Sequence, residues 1–211
     1  MNKKWMLPAL CAGLFLASCG GSETTETEGT TDSTSTTTVE EPKELIKDYN
    51  WLSAKLDNIS IEGVALTPDL VNDDANNLDI RRSWTVDPAL HGCDKIQINC
   101  SSLSRSGNQR KELEHKSLAE YQDFMTKYEA EEDKKNFSDF KEYQKDSLVY
   151  YYNTKVKCSD TFGPSDYRKI TFVHCTADLR IQGWVYVYDA TADMVKAEEM
   201  AIKMMDFLSQ P

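Results

Sequence analysis

Catalytic signatures are what this chain of 211 residues has least of. It contains no Gly-x-Ser-x-Gly elbow, no Gly-x-Gly-x-x-Gly turn, no Walker loop and no His-Glu-x-x-His pair, so the common nucleophile, dinucleotide, phosphate and zinc-hydrolase motifs are all missing. Histidine is scarce as well, with only His91, His115 and His174. Basic residues are outnumbered, 24 Lys and Arg against 35 Asp and Glu for a formal charge of −11, and a surface so negative disfavours sequence-independent binding to nucleic acid or anionic headgroups. No apolar run approaches the roughly 20 residues that a membrane-spanning helix requires.

What is present begins with an address. Residues 5 to 17 form a short apolar run, Lys3 and Lys4 precede it, and Leu16-Ala17-Ser18-Cys19 closes it. A positive start, a short apolar middle and small residues before a cleavage point make a secretory leader. With Cys19 in that position the stretch resembles a bacterial lipoprotein signal. The resemblance implies cleavage of residues 1 to 18, a thioether to diacylglycerol at Cys19 and acylation of the freed amine, which fixes the protein to the cell envelope. Gly20 and Gly21 follow the cysteine, so the aspartate that retains many such lipoproteins in the inner membrane is not there. The outer membrane is the expected destination, in either leaflet.

Residues 20 to 41 hold nine Thr, three Ser, three Gly, six acids, one Val and no base. Such a segment has too little apolar surface to offset the entropy of ordering, and a disordered tether is expected over residues 19–41. As a flexible coil it spans about 25 Å, and its own negative charge would extend it. Without residues 1 to 18 the chain keeps 22 basic and 35 acidic residues, a formal charge of −13. The remaining stretch, 42–211, fits one globular domain with room for a sizeable core.

That domain contains Cys93, Cys100, Cys158 and Cys175. In an oxidising envelope an even set suggests two disulfides, with three possible connectivities and a preference for sequence neighbours, Cys93 with Cys100 and Cys158 with Cys175. Zinc would recruit His91 beside Cys93 and His174 beside Cys175, but no Cys-x-x-Cys or His-x-x-x-His spacing supports it. No metal or other cofactor is expected.

Periodicity organises the rest. Leu45, Tyr49, Leu52 and Leu56 mark one helix face over about 43–57. Ile59 to Leu66 reads as a short strand, ended by Thr67-Pro68 and an Asn/Asp-rich loop over 72–77. Alternation over 78–86, broken on its apolar side only by Arg82, and again over 95–100 predicts two half-buried strands. Ser117-Leu118-Ala119-Glu120 matches a capping box, and Leu118, Tyr121, Met125 and Tyr128 line the helix that follows. Phe137, Phe140 and Tyr143 repeat every three residues, suggesting another helical turn or two. Three strands are expected over 148–156, 168–177 and 181–188, and a closing helix carries Ala197, Ala201, Met204, Met205 and Leu208 on one side. The last two strands are apolar on both faces and must be covered on both.

The expected fold is therefore α+β, a mainly antiparallel sheet of five to six strands with helices on both faces. This order of elements resembles the Mog1/PsbP-type α/β/α sandwich over most of residues 58 to 209. That family includes noncatalytic, protein-binding members, so the resemblance suits a binding role by analogy.

The functional expectation is an envelope-anchored binding or interaction module with a protein partner in the envelope, no nucleic acid, and no catalytic residue. Tyr150, Tyr151, Tyr152, Trp184, Tyr186 and Tyr188 are the candidate recognition aromatics, because such side chains offer large contact area at low entropy cost. The same strand periodicity makes them core candidates too. Two alternatives stand beside it: a small envelope hydrolase or thiol-dependent enzyme using His91, Cys93 or His174, and a small-ligand carrier with its ligand between the sheet and the Met-rich final helix.

Overall fold

The structure, a computed structural model, describes residues 48–74, 79–103, 114–159, 165–176 and 179–211. The expected leader, Cys19, the tether and the first residues of the 43–57 helix lie outside these. The described residues belong to one compact unit, Glu40–Pro211.

Seven strands form one antiparallel sheet: β1 (Thr67–Asp74), β2 (Asp79–Thr85), β3 (Lys95–Ser102), β4 (Phe137–Lys145), β5 (Leu148–Ser159), β6 (Ser165–Cys175) and β7 (Leu179–Val187). Their spatial order is β1-β2-β3-β7-β6-β5-β4, which places β7 at the centre. Helices α1 (Tyr49–Asp57), α2 (Pro88–His91) and α5 (Met194–Ser209) pack on one side, here the first face, while α3 (Leu118–Thr126) lies on the second and α4 (Glu131–Lys134) is a single exposed turn. The architecture is α+β with helices on both faces, as expected, and has seven strands where five to six were expected.

Alternation builds the first face. Ile80 and Trp84 of β2, Ile96, Ile98 and Cys100 of β3, Ile181 and Val185 of β7, Ile170 and Phe172 of β6, and Tyr150 and Tyr152 of β5 all point to it and are buried. Helix α5 covers their centre with Ala197, Met200, Ala201, Met204, Met205 and Leu208, each 2% exposed or less. At roughly 1.5–3 kcal/mol for each large apolar side chain removed from water, this layer dominates the stability of the fold. The Asp193 carboxylate caps α5 by accepting from Val195 N–H. In α3 the expected box forms: Ser117 Oγ accepts from Glu120 N–H, and Glu120 accepts from Lys116 N–H.

Three expectations are corrected. The stretch 59–66 is a turn held by one isolated bridge between Ile61 and Val64, and the strand falls on the next eight residues, across Pro68. This is an edge strand with nearly every side chain exposed, so it carries no apolar alternation, and an edge tolerates proline beside the bulge between Pro68 and Leu70. Phe137, Phe140 and Tyr143 belong to β4, not to a helix. A bulge between Ser138 and Lys141, where Asp139 has φ 53°, inserts one extra residue; it puts Phe137 and Phe140 on the same side and Tyr143 on the other. Helix α3 also ends before Tyr128, which is 80% exposed.

Candidate functional site

The candidate site residues scatter. Tyr150, Tyr151 and Tyr152 are buried and therefore fill the core instead of offering contacts. Tyr152 donates its hydroxyl to Glu198 of α5 at 2.8 Å, and Tyr150 accepts from Ser209 Oγ at 3.3 Å. Trp184 and Tyr186 are half-buried and Tyr188 is exposed, all three on the second face.

Neither expected disulfide, Cys93 with Cys100 or Cys158 with Cys175, is formed, which corrects both expected pairings. Cys93 precedes β3 and Cys100 lies near its end, so the strand from Lys95 to Cys100 alone holds them about 17 Å apart. Cys158 pairs in register with Tyr167, and about 27 Å of strand separates Tyr167 from Cys175. A disulfide needs Cα atoms within about 7 Å. Burial pushes the Cys93 and Cys100 thiols up to about 12, Asp94 and Asp79 adding to the effect. A fully buried, protonated Cys93 beside half-exposed His91 is a poor nucleophile. His174 sits at the end of β6 with Nδ1 2.7 Å from the Val149 carbonyl and its ring 5.0 Å from that of Tyr150. The space between sheet and α5, expected to suit a carried ligand, is filled by buried methionines.

The second face is built differently in its two halves. Over β4, β5 and β6 it is covered: Tyr121 of α3 is fully buried, packs with Tyr151, Val173 and Phe140, and donates its hydroxyl to Asn153 at 2.6 Å. Over β2, β3 and β7 no helix among the described residues packs on it. There the outward positions are Arg81 and Ser83 of β2, Lys95, Gln97, Asn99 and Ser101 of β3, and Arg180, Gln182, Trp184 and Tyr186 of β7. Gln97 donates to the Asn99 carbonyl at 3.1 Å, and Lys95 and Ser83 both donate to Asp69, at 2.7 and 2.9 Å. These contacts hold the Asp69 carboxyl below its usual range. At one end Tyr167, Tyr186 and Tyr188 cluster, with ring centroids 5.8 to 6.4 Å apart.

Where the covered and open halves meet, four chemistry-bearing side chains converge. Arg180 is 8% exposed and lies 5.7 Å from the Phe124 ring; Phe124 is in turn 4.8 Å from the ring of His115. Burial first and the Arg180 charge second, opposed by Glu120, lower the His115 imidazole to about 4, so it is neutral at physiological pH. The Cys175 thiol is pushed up, again chiefly by burial. Three hollows surround this point: about 260 Å³ over Asp79, Arg81, Asn99, Ser101, Arg180 and Gln182; about 230 Å³ beside Cys175 and His174; and about 500 Å³ between His115, Phe124 and the acids of α3. Among the described residues no three His, Cys, Asp or Glu side chains are placed to share a metal ion, and no helix is long and apolar enough to cross a membrane.

Sequence reasoning passed over Arg81, Gln97, Asn99, Tyr167, Arg180 and Gln182. Their signal was the strand alternation itself: a row of amides and guanidinium groups opposite an apolar row reads as a solvated face until three adjacent strands are known to carry it. No protein-family model matches this chain, and neither a curated protein nor a solved structure is significantly similar to it.

Proposed function

We propose that this protein is an envelope lipoprotein, anchored through Cys19, whose folded domain is a noncatalytic binding module and whose recognition surface is the open half of the second face. The single observation that supports the surface is the composition of that half: Trp184, Tyr186 and Tyr188 beside Gln97, Asn99 and Gln182 combine aromatic area with oriented amide donors, on a rigid three-strand floor. The Leu16-Ala17-Ser18-Cys19 stretch supports the anchor, and the acidic Thr/Ser segment after it would hold the surface clear of the bilayer.

Site-specific photocrosslinking tests the reading. A photoactivatable residue in place of Trp184 is expected to give a discrete adduct, read by mass, in intact cells, whereas the same residue at Tyr128, exposed on another part of the surface, gives none. No adduct from Trp184, or equal adducts from both positions, would sink the proposal.

A further inference from the structure

Two arginines in this domain are buried to nearly the same degree, and their surroundings are opposite. Arg82 on the first face is 3% exposed and saturated: it pairs with Asp73, lies 2.9 Å from the Asp57 carboxylate and is 3.4 Å from Ser53 Oγ. Arg180 on the second face is 8% exposed and has no carboxylate of the described residues within ion-pair distance. Its one hydrogen bond runs from NH1 to the Gln182 side-chain oxygen at 2.5 Å, and its buried Nε has no acceptor. An unpaired guanidinium held out of water is costly, and an acid-rich chain has no shortage of carboxylates to pair it.

The hollow that Arg180 lines explains what such a group is kept for. Gln182 accepts from Arg180, which turns its NH2 group outward, and Asn99 accepts from Gln97, which does the same for its own. Neither NH2 group has an acceptor among the described residues. Arg81, exposed and in no ion pair among the described residues, stands on the next strand but one, and Ser101 supplies a hydroxyl. Among the described residues the polar lining therefore consists of donors, with Asp79 as its one carboxylate. Two guanidinium groups against one carboxylate leave a single positive charge to be balanced.

We propose that this hollow on the second face, floored by Arg81, Asn99, Ser101, Arg180 and Gln182, is a receptor for one small, singly charged oxyanion, with a carboxylate group as the expected ligand. The guanidinium of Arg180 meets the oxygens from the floor, Asn99 and Gln182 donate from the flanks, and Arg81 closes the charge balance from the rim. At about 260 Å³ the hollow accommodates the anionic end of a ligand; the remainder would extend along the strands toward Trp184. The inference deepens the proposed recognition surface, and the two can fail separately: an adduct at Trp184 does not require an anion, and anion binding does not require a partner in the envelope.

The test is titration of the purified protein with sodium propionate, with an N-acetylated dipeptide bearing a free C-terminus, and with inorganic phosphate, each against chloride at equal ionic strength. The readouts are melting temperature and the side-chain amide resonances of Asn99 and Gln182. A saturable rise in melting temperature with shifts of both resonances is expected for the carboxylates, and less for phosphate. Tighter binding of the dipeptide than of propionate identifies a peptide terminus as the source; equal binding identifies a free carboxylate. Arg180→Met should weaken binding by about tenfold or more, and Arg81→Gln by about two- to fivefold. If Arg180→Met does not fold, the Arg81→Gln titration and the wild-type resonances decide alone. No saturable response to any of the three anions, or an undiminished response in the arginine variants, overturns the proposal.

Discussion

The ring of Phe172 occupies the space that a side chain on Gly183 would fill: the two residues face each other across β6 and β7, and a Cβ added at Gly183 would stand 2.0 Å from Phe172 Cζ. The centre of the sheet is thus closed on its first face by an aromatic lying over a bare backbone. Gly183→Ala should lower stability by about 2–4 kcal/mol, through displacement of a ring packed on all sides. Chemical denaturation checks this, and Phe172→Leu in the same chain should recover part of the loss, because the smaller side chain vacates the contested space.

The Arg82 cluster ties α1 and edge strand β1 to the sheet. Ser53 of α1 donates to Asp73 at 2.8 Å, and Asp73 holds the buried Arg82 guanidinium. That guanidinium, then burial against it, then Ser53, set the Asp73 carboxyl below the ordinary carboxylate range. Its contribution is present above the unfolded-state value near 4 and is lost as pH falls through the lowered native value. Asp73→Asn is expected to cost about 1–3 kcal/mol at pH 7 and to make the loss of stability below pH 4 shallower than in the parent. Denaturation midpoints between pH 2 and 7 measure both; parallel curves would contradict the assignment.

The thiols offer a direct chemical check. Cys93 and Cys100 are fully buried with thiols pushed up to about 12, so neither should react with a disulfide reagent in the native protein at pH 8. Cys175, half-buried at the strand end, should react ahead of both. After denaturation without reductant all four domain thiols should titrate; recovery of two or none would show a bridge and a different register of strands.

Cys19→Ser should leave the domain folded, since residue 19 precedes the compact unit, and should release the protein from the membrane fraction. Partition of mutant and parent between pellet and supernatant reads the effect. A mutant that still pellets as the parent does would remove the anchor from the account.

Much of this fold was legible in the chain. The alternation of Ile96, Ile98 and Cys100, the box at Ser117, and the stripe from Ala197 to Leu208 each reported a side chain's burial through its period, and all three are where the period puts them. The edge strand β1 was not legible, because backbone hydrogen bonds hold it while its side chains face water. Strand β4 was hidden by its bulge, which turned alternation into a spacing of three. Arg82 broke an apolar row in the sequence; only the fold brings Asp57 and Asp73, 25 and 9 residues away, to satisfy it. The candidate site needed still more, since Asn99 and Gln182 become neighbours through the pairing of β3 with β7, which are some eighty residues apart in sequence.

The central claim is that the half of the second face on which no described helix packs is covered by a partner at its place of work. Hydroxyl-radical footprinting of the purified protein and of the same protein in intact envelopes measures this most directly. Trp184 and Tyr188 should be oxidised quickly in the purified protein and protected in the envelope, while buried Trp84 and Tyr150 stay unreacted in both. Equal oxidation of Trp184 and Tyr188 in the two settings would contradict the account.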